Sequence, residues 1–280
     1  MDDRVHLADG SWLGYHCSGH GPEHLVLIHG FAANMGTWFD LAPLFPPERY
    51  TLHLLDLPAH GTASRRRRND YSIPAQAERI ATFLQTRSIH QATLIGHSMG
   101  GAVVLALAIR YLELSDDRIS RLVLLDAPAY PQPLPDFIDL LGTPLVGPLI
   151  LALTPPASIA RHGLQAVLAD HNLITPARIE RYAATFRTPG TALALSRCAA
   201  QIIPPNAGQL TAAYRHMPQP SLLIWGEQDR VVRPEQGERL SNDLPRAELT
   251  LLPLCGHNPH EEYPEQTYRL IQAFLDRHTL

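Results

Sequence analysis

No lysine occurs in this 280-residue sequence; all of its 23 basic side chains are arginine. That absence removes Schiff-base lysines, serine–lysine dyads and phosphate-gripping loop lysines from consideration. Cysteine is almost as scarce. Cys17, Cys198 and Cys255 are odd in number, widely spaced and without a CxxC pair. They indicate neither a disulfide framework nor a zinc knuckle, and a reducing, cytoplasmic setting is expected, with no metal and no cofactor. Long apolar runs are missing too. The longest, LVGPLILAL at 145–153, is too short to span a bilayer. The N-terminal MDDRVHLADG is acidic and polar, unlike a secretory signal. Strong net charge is also absent: the formal value of −4 at pH 7 argues against nucleic acid as a partner.

What remains is a chain that is 45% hydrophobic and 18% charged, able to bury a large core. Short β-rich runs alternate with helix-length stretches. LVLIHG (25–30), YTLHLLDLP (50–58), ATLIGHS (92–98), RLVLLDAPA (121–129), SLLIWGEQD (221–229) and AELTLLPLCGH (247–257) read as strands with their exits. SIPAQAERIATFLQT (72–86) predicts a helix with Ser72 as N-cap and Pro74 in its first turn, and PEQTYRLIQAFLDRH predicts an amphipathic terminal helix. This alternation implies an α/β protein with a mainly parallel, doubly wound sheet. It breaks over 130–216, where a proline cluster precedes several helical pieces and no strand. The expected division is a core of 1–129 and 217–280, with 130–216 inserted over the strand ends where such sheets bind ligands.

Within LIGHSMGG (94–101), Ser98 stands between Gly96 and Gly100 at a strand-to-helix corner. A serine hydroxyl attacks only if a base removes its proton and donors stabilise the oxyanion. The sharp turn exposes the serine and aims the Met99 N–H and the following helix N-terminus at developing charge. His257 follows the last strand and is the expected base; Asp229 follows the preceding strand and is the expected acid. Serine, aspartate and histidine therefore stand in that chain order at strand ends. HGFAANMGTW begins where a second oxyanion donor is needed, and the Phe31 N–H is the candidate. Phe31, Trp38 and Tyr130 are the candidates for lining a substrate pocket, although Trp38 reads first as a packing residue of the following helix.

HGFAANMGTW, DLPAHGTAS, GHSMGG, LLDAP, WGEQDRVV and GHNPHEEYPE together resemble the α/β-hydrolase family, in the subgroup with a helical cap after the sixth strand. The likeness runs from about residue 25 to 275. One departure is Ala59 in DLPAHG, where relatives usually carry glycine. The resemblance implies a serine hydrolase acting on an ester, thioester or lactone. An aspartate-nucleophile mechanism is disfavoured by Ser98. Hydrolysis of a carbon–carbon bond in a ring-cleavage product is the alternative, and a ligand receptor on the same fold is the non-enzymatic one. The expected partner is a small acyl substrate.

Asp126, which also ends a strand, is the rival acid, read here as a loop carboxylate. Asp56 is expected to pair with its own loop, His97 to pack beside the corner and His260 to support the His257 loop. Glu261 and Glu262 read as solvated or helix-capping charges. The Arg65–Arg68 run reads as a solvated loop, with an acidic partner as the sharper expectation.

Overall fold

The computed structural model describes residues 3–67, 69–205 and 207–279. Eight strands form one sheet: β1 (Asp3–His6), β2 (Trp12–Gly19), β3 (Glu23–Ile28), β4 (Tyr50–Asp56), β5 (Ala92–His97), β6 (Ile119–Leu125), β7 (Ser221–Gly226) and β8 (Ala247–Leu252). Their order is β1-β2-β4-β3-β5-β6-β7-β8. β2 pairs antiparallel with both β1 and β4, and every later neighbour is parallel. β5 and β7 are buried along their whole length, as strands covered on both faces must be.

The two N-terminal strands escape the hydrophobic pattern. β1 is only four residues long and mostly exposed, and the second half of β2 alternates half-buried and exposed residues. The other six strands fall where the apolar runs put them. So does α1 (Ile73–Thr86), whose Ala75 N–H donates to the Ser72 hydroxyl oxygen. α2 (Met99–Glu113) is apolar on nearly all sides because the sheet, α1 and the inserted helices surround it.

Between β6 and β7 the chain makes α3 (Asp136–Gly142), α4 (Val146–Leu153), α5 (Pro156–Val167), α6 (Pro176–Arg187), α7 (Thr191–Ala200) and α8 (Ala207–Ala213). α5 and α6 share a small core of Ala160, Leu164, Leu168, Ile179 and Ala183. α9 (Pro234–Asp243), α10 (Pro259–Glu262) and α11 (Pro264–Arg277) complete the molecule. The chain leaves β3 for β4 on one side and then crosses from β4 through α1 to β5 on the other. The crevice at that reversal lies beyond the carboxyl ends of the strands, and the insertion roofs it.

Candidate active site

Four strand exits converge under the insertion. β5 hands over to α2 through Ser98, whose φ of 50° and ψ of −123° lie outside the regions an L-residue favours. Gly100 makes this corner possible: a Cβ there would lie 2.2 Å from the Ile28 carbonyl oxygen. The strained corner is held by the sheet, since the Ser98 N–H donates to Leu125 O at 2.9 Å.

Ser98 Oγ lies 2.8 Å from His257 Nε2, and His257 Nδ1 lies 2.7 Å from Asp229 Oδ2. The Nδ1–H donates to the carboxylate, which leaves Nε2 as an acceptor for the serine proton. Asp229 is fixed in turn: its Oδ1 accepts the N–H groups of Val231 at 2.7 Å and Val232 at 3.1 Å. His257 and Asp229 are buried, while Ser98 keeps partial exposure toward the crevice.

The loop after β3 comes against the serine from the other side. A Cβ at Gly30 would meet His97 Nδ1 at 3.0 Å and Ser98 Cβ at 3.1 Å, so any larger residue would crowd this close approach. His29 holds the loop's shape, with Nδ1 donating to Gly30 O at 2.7 Å and Nε2 accepting the Leu57 N–H at 3.1 Å. Asp56 Oδ1 accepts the Met35 N–H, and Oδ2 accepts from Thr62 N and Oγ1, so Asp56 does tie its own loop and its neighbour. Neither the Phe31 nor the Met99 N–H donates to another group among the described residues. Both N–H groups, the two named from the sequence, are free of other acceptors there.

Asp126, the rival acid, sits beside this triad without contacting the imidazole by a hydrogen bond. Its Oδ1 accepts the Gly226 N–H at 2.9 Å, and its fully buried Oδ2 finds no donor. One atom each of Asp126, Asp229 and His257 falls within 4.8 Å of the others. Burial, then the Asp229 carboxylate, push the Asp126 carboxyl well above the ordinary carboxylate range. The shift favours the neutral form of Asp126 beside the Asp229 carboxylate.

Two expectations need correction. Glu261 and Glu262 are buried rather than solvated. Glu262 Oε1 accepts N–H groups from Gly256 and Asn258 on either side of His257, and its Oε2 accepts the Ala169 N–H. The His257 N–H itself donates to Val167 O at 2.7 Å, so the insertion holds the histidine loop directly. Glu261 meets Arg178 and Arg181 of α6, the Tyr182 hydroxyl and the Asn258 amide. Nothing adjacent in the chain signals this burial; it is imposed by a helix folding back from the insertion. Trp38 is the second correction. It is fully buried against His260, with ring centroids 4.4 Å apart, and lines neither cavity at the serine.

His97 donates from Nε2 to His257 O at 2.7 Å, and its Nδ1 has no partner. Burial lowers His97 well below the usual imidazole range and brings His260 down to about 3. Both are neutral props of the histidine loop. Arg65 is consumed internally: it donates to Gly61 O, Ala63 O and Thr191 Oγ1, and burial brings its pKa down to about 10. Arg66 and Arg67 are exposed, and Arg68 lies outside the described residues.

Two apolar spaces open on Ser98. The smaller, about 870 Å³ with its mouth, lies between α2 and the chain after β6, lined by Phe31, Met99, Ala106, Tyr130 and Tyr214. The larger, about 1300 Å³ with its mouth, lies under α3–α6, lined by Phe31, Phe137, Leu141, Ile150, Gly163 and Phe186. Phe31 and Ser98 border both, and Tyr130 the smaller. Among the described residues, neither space is lined by an arginine, aspartate or glutamate.

A family model of the alpha/beta hydrolase fold matches residues 23–264. The uncharacterized hydrolase YugF of Bacillus subtilis is 31% identical over 275 residues, covering 97% of each chain. A 2-hydroxymuconate semialdehyde hydrolase of a Pseudomonas species is 26% identical, covering 96% of this chain and 92% of that one. Among solved structures, a bacterial membrane phospholipase A is similar with a TM-score of 0.78 at 29% identity, over 99% of this chain and 86% of its own.

Proposed function

Since this chain belongs to the α/β-hydrolase family and is a hydrolase of that fold, we propose that it cleaves a neutral, apolar carboxylic ester through an acyl-enzyme on Ser98. The observation that carries this reading is the seating of the Ser98 hydroxyl between two apolar spaces that no arginine, aspartate or glutamate lines among the described residues. One space suits the acyl chain and the other the alcohol. Ser98 Oγ adds to the ester carbonyl as His257 Nε2 takes its proton, and Asp229 stabilises the imidazolium. The Phe31 and Met99 N–H groups receive the oxyanion; losing one such donor typically costs roughly 3 kcal/mol of barrier. His257 then returns the proton to the departing alcohol, and water enters by the same route to release the acid.

A carbon–carbon hydrolase reading draws on the relative that acts on 2-hydroxymuconate semialdehyde. The charge of the site weighs against it here. A substrate carboxylate entering either space would be desolvated without an arginine to receive it, at a cost of several kcal/mol. The test is a series of p-nitrophenyl esters of rising chain length, run beside ω-carboxylated esters and an anionic unsaturated diketone. Neutral esters of medium or long chain should be turned over fastest. Ser98→Ala should lower kcat roughly 10⁴-fold or more. Faster turnover of the anionic diketone would overturn the ester reading.

A further inference from the structure

The α3–α4 pair shows water a surface that the folded monomer does not use. Of the ten large hydrophobic side chains exposed among the described residues, six lie between Phe137 and Leu153. Leu145 is 86% exposed, Leu153 74% and Leu149 58%. They recur every four residues and so form one row along α4. From residue 140 to residue 160 the sequence has no charged side chain and no histidine. Leu145 adds a second cost, because it holds a φ of +68° at the turn between the helices, where glycine is favoured. An exposed leucine held at this positive φ has almost no side-chain packing to offset it.

The opposite side of the same pair lines the larger apolar space at Ser98, through Ile138, Leu141, Ile150 and Leu151. Phe137 and Leu140 belong to both sides: each lines the space and each is exposed. The entrance therefore opens within the apolar surface. A protein seated there, including a second copy of this chain, would stopper it. A layer of acyl chains would instead be continuous with it. α3 and α4 are bent by 105° at their junction, and no single helix among the described residues is long and apolar enough to cross a membrane. The geometry is that of an element lying in an interface.

We propose that α3–α4 docks the enzyme on a phospholipid surface, with Leu145, Leu149 and Leu153 inserted among the acyl chains and the mouth of the larger space facing them. The docking itself stands apart from the ester reading; only the delivery of substrate to Ser98 rests on it. Because the surface is uncharged, binding should need no anionic lipid and should survive high salt.

Flotation with phosphatidylcholine vesicles tests this, using wild type and the triple variant Leu145→Ser, Leu149→Ser, Leu153→Ser. None of the three residues lines either space, so turnover of p-nitrophenyl acetate reports that the variant is folded. Wild type should float, in low and high salt, and the variant should lose about a hundredfold or more in partition, since each leucine transferred is worth roughly a factor of ten. Slower hydrogen exchange over 145–153 in wild type on vesicles gives the same answer without a variant. A wild type that stays in the aqueous fraction overturns the proposal, as does vesicle-independent burial of the row in a dimer that the triple variant abolishes. Flotation requires no turnover, so inert Ser98→Ala protein should float like wild type, and failure of the ester reading is seen separately.

Discussion

At residue 126 burial and the neighbouring Asp229 carboxylate favour the neutral carboxyl, and two measurements follow. A neutral Asp126 adds no field at His257, so Asp126→Asn should leave the acid limb of the kcat/KM–pH profile in place. An ionised Asp126 would instead have supported the imidazolium, and its removal would shift that limb down by about one unit. Stability gives the second. With the folded value raised, the proton on Asp126 stabilises the fold fully below the unfolded value near 3.8, and this contribution is lost as pH rises toward the folded value. Thermal melts should therefore show wild type losing stability over that window, while Asp126→Asn does not and is at least as stable at pH 7. Ala59 carries strain of another kind. Its φ is +82°, the conformation that the usual glycine of this motif adopts without cost. Ser98, Asp229, His257 and Phe31 were legible because each follows an apolar strand in a motif with a chemical rationale. The protonation of Asp126 was not, because it arises from two strand ends meeting in space.

The inserted helices divide by how they are held. α6 is clamped by charge: Arg178 and Arg181 reach Asp40 and Glu261, and Asn34 Nδ2 donates to Arg181 O and Thr185 Oγ1. α3 and α4 have apolar packing on α7 and no side-chain hydrogen bond to the sheet domain among the described residues. Truncation of the clamp should be costly. Glu261→Ala leaves the buried Tyr182 hydroxyl without its acceptor and takes the second carboxylate from Arg178 and Arg181, which keep Asp40, and should reduce unfolding free energy by about 3 kcal/mol in urea titrations. An unchanged midpoint would show that the pair is dispensable. Gly163, inside α5, faces the larger space, and a Cβ there would meet nothing within 4 Å. Gly163→Ala should stabilise the helix by about 1 kcal/mol. Gly163→Leu should raise KM for the longest esters while sparing acetate, and equal effects on both would contradict the assignment of that space. The sequence revealed helices in this region by apolar spacing and by their lack of strand-like runs. It gave no sign of which helix is clamped, since the partners of Arg178 and Arg181 stand far away in the chain.

On the scale of the whole molecule, the strand order explains why distant motifs form one site. β3, β5, β7 and β8 run parallel, so the loops carrying Phe31, Ser98, Asp229 and His257 all emerge at one edge. Parallel strands packed by helices give continuous apolar runs, fully buried in β5 and β7 and half-buried in the edge strand β8, which is why these six were readable. The antiparallel pair β1–β2 lies at the sheet margin, where half-exposed strands carry a weak pattern, and it was not. The roof over the site was readable as helical, but its two spaces and its exposed leucine row depend on packing that periodicity does not encode. Every function assigned to these parts turns on one covalent event. The direct measurement is peptide mass mapping after stoichiometric treatment with a fluorophosphonate, with ester turnover followed in parallel. A single adduct on the peptide bearing Ser98, appearing in step with loss of turnover, is the predicted result. An adduct elsewhere, or full turnover with Ser98 labelled, would contradict the account.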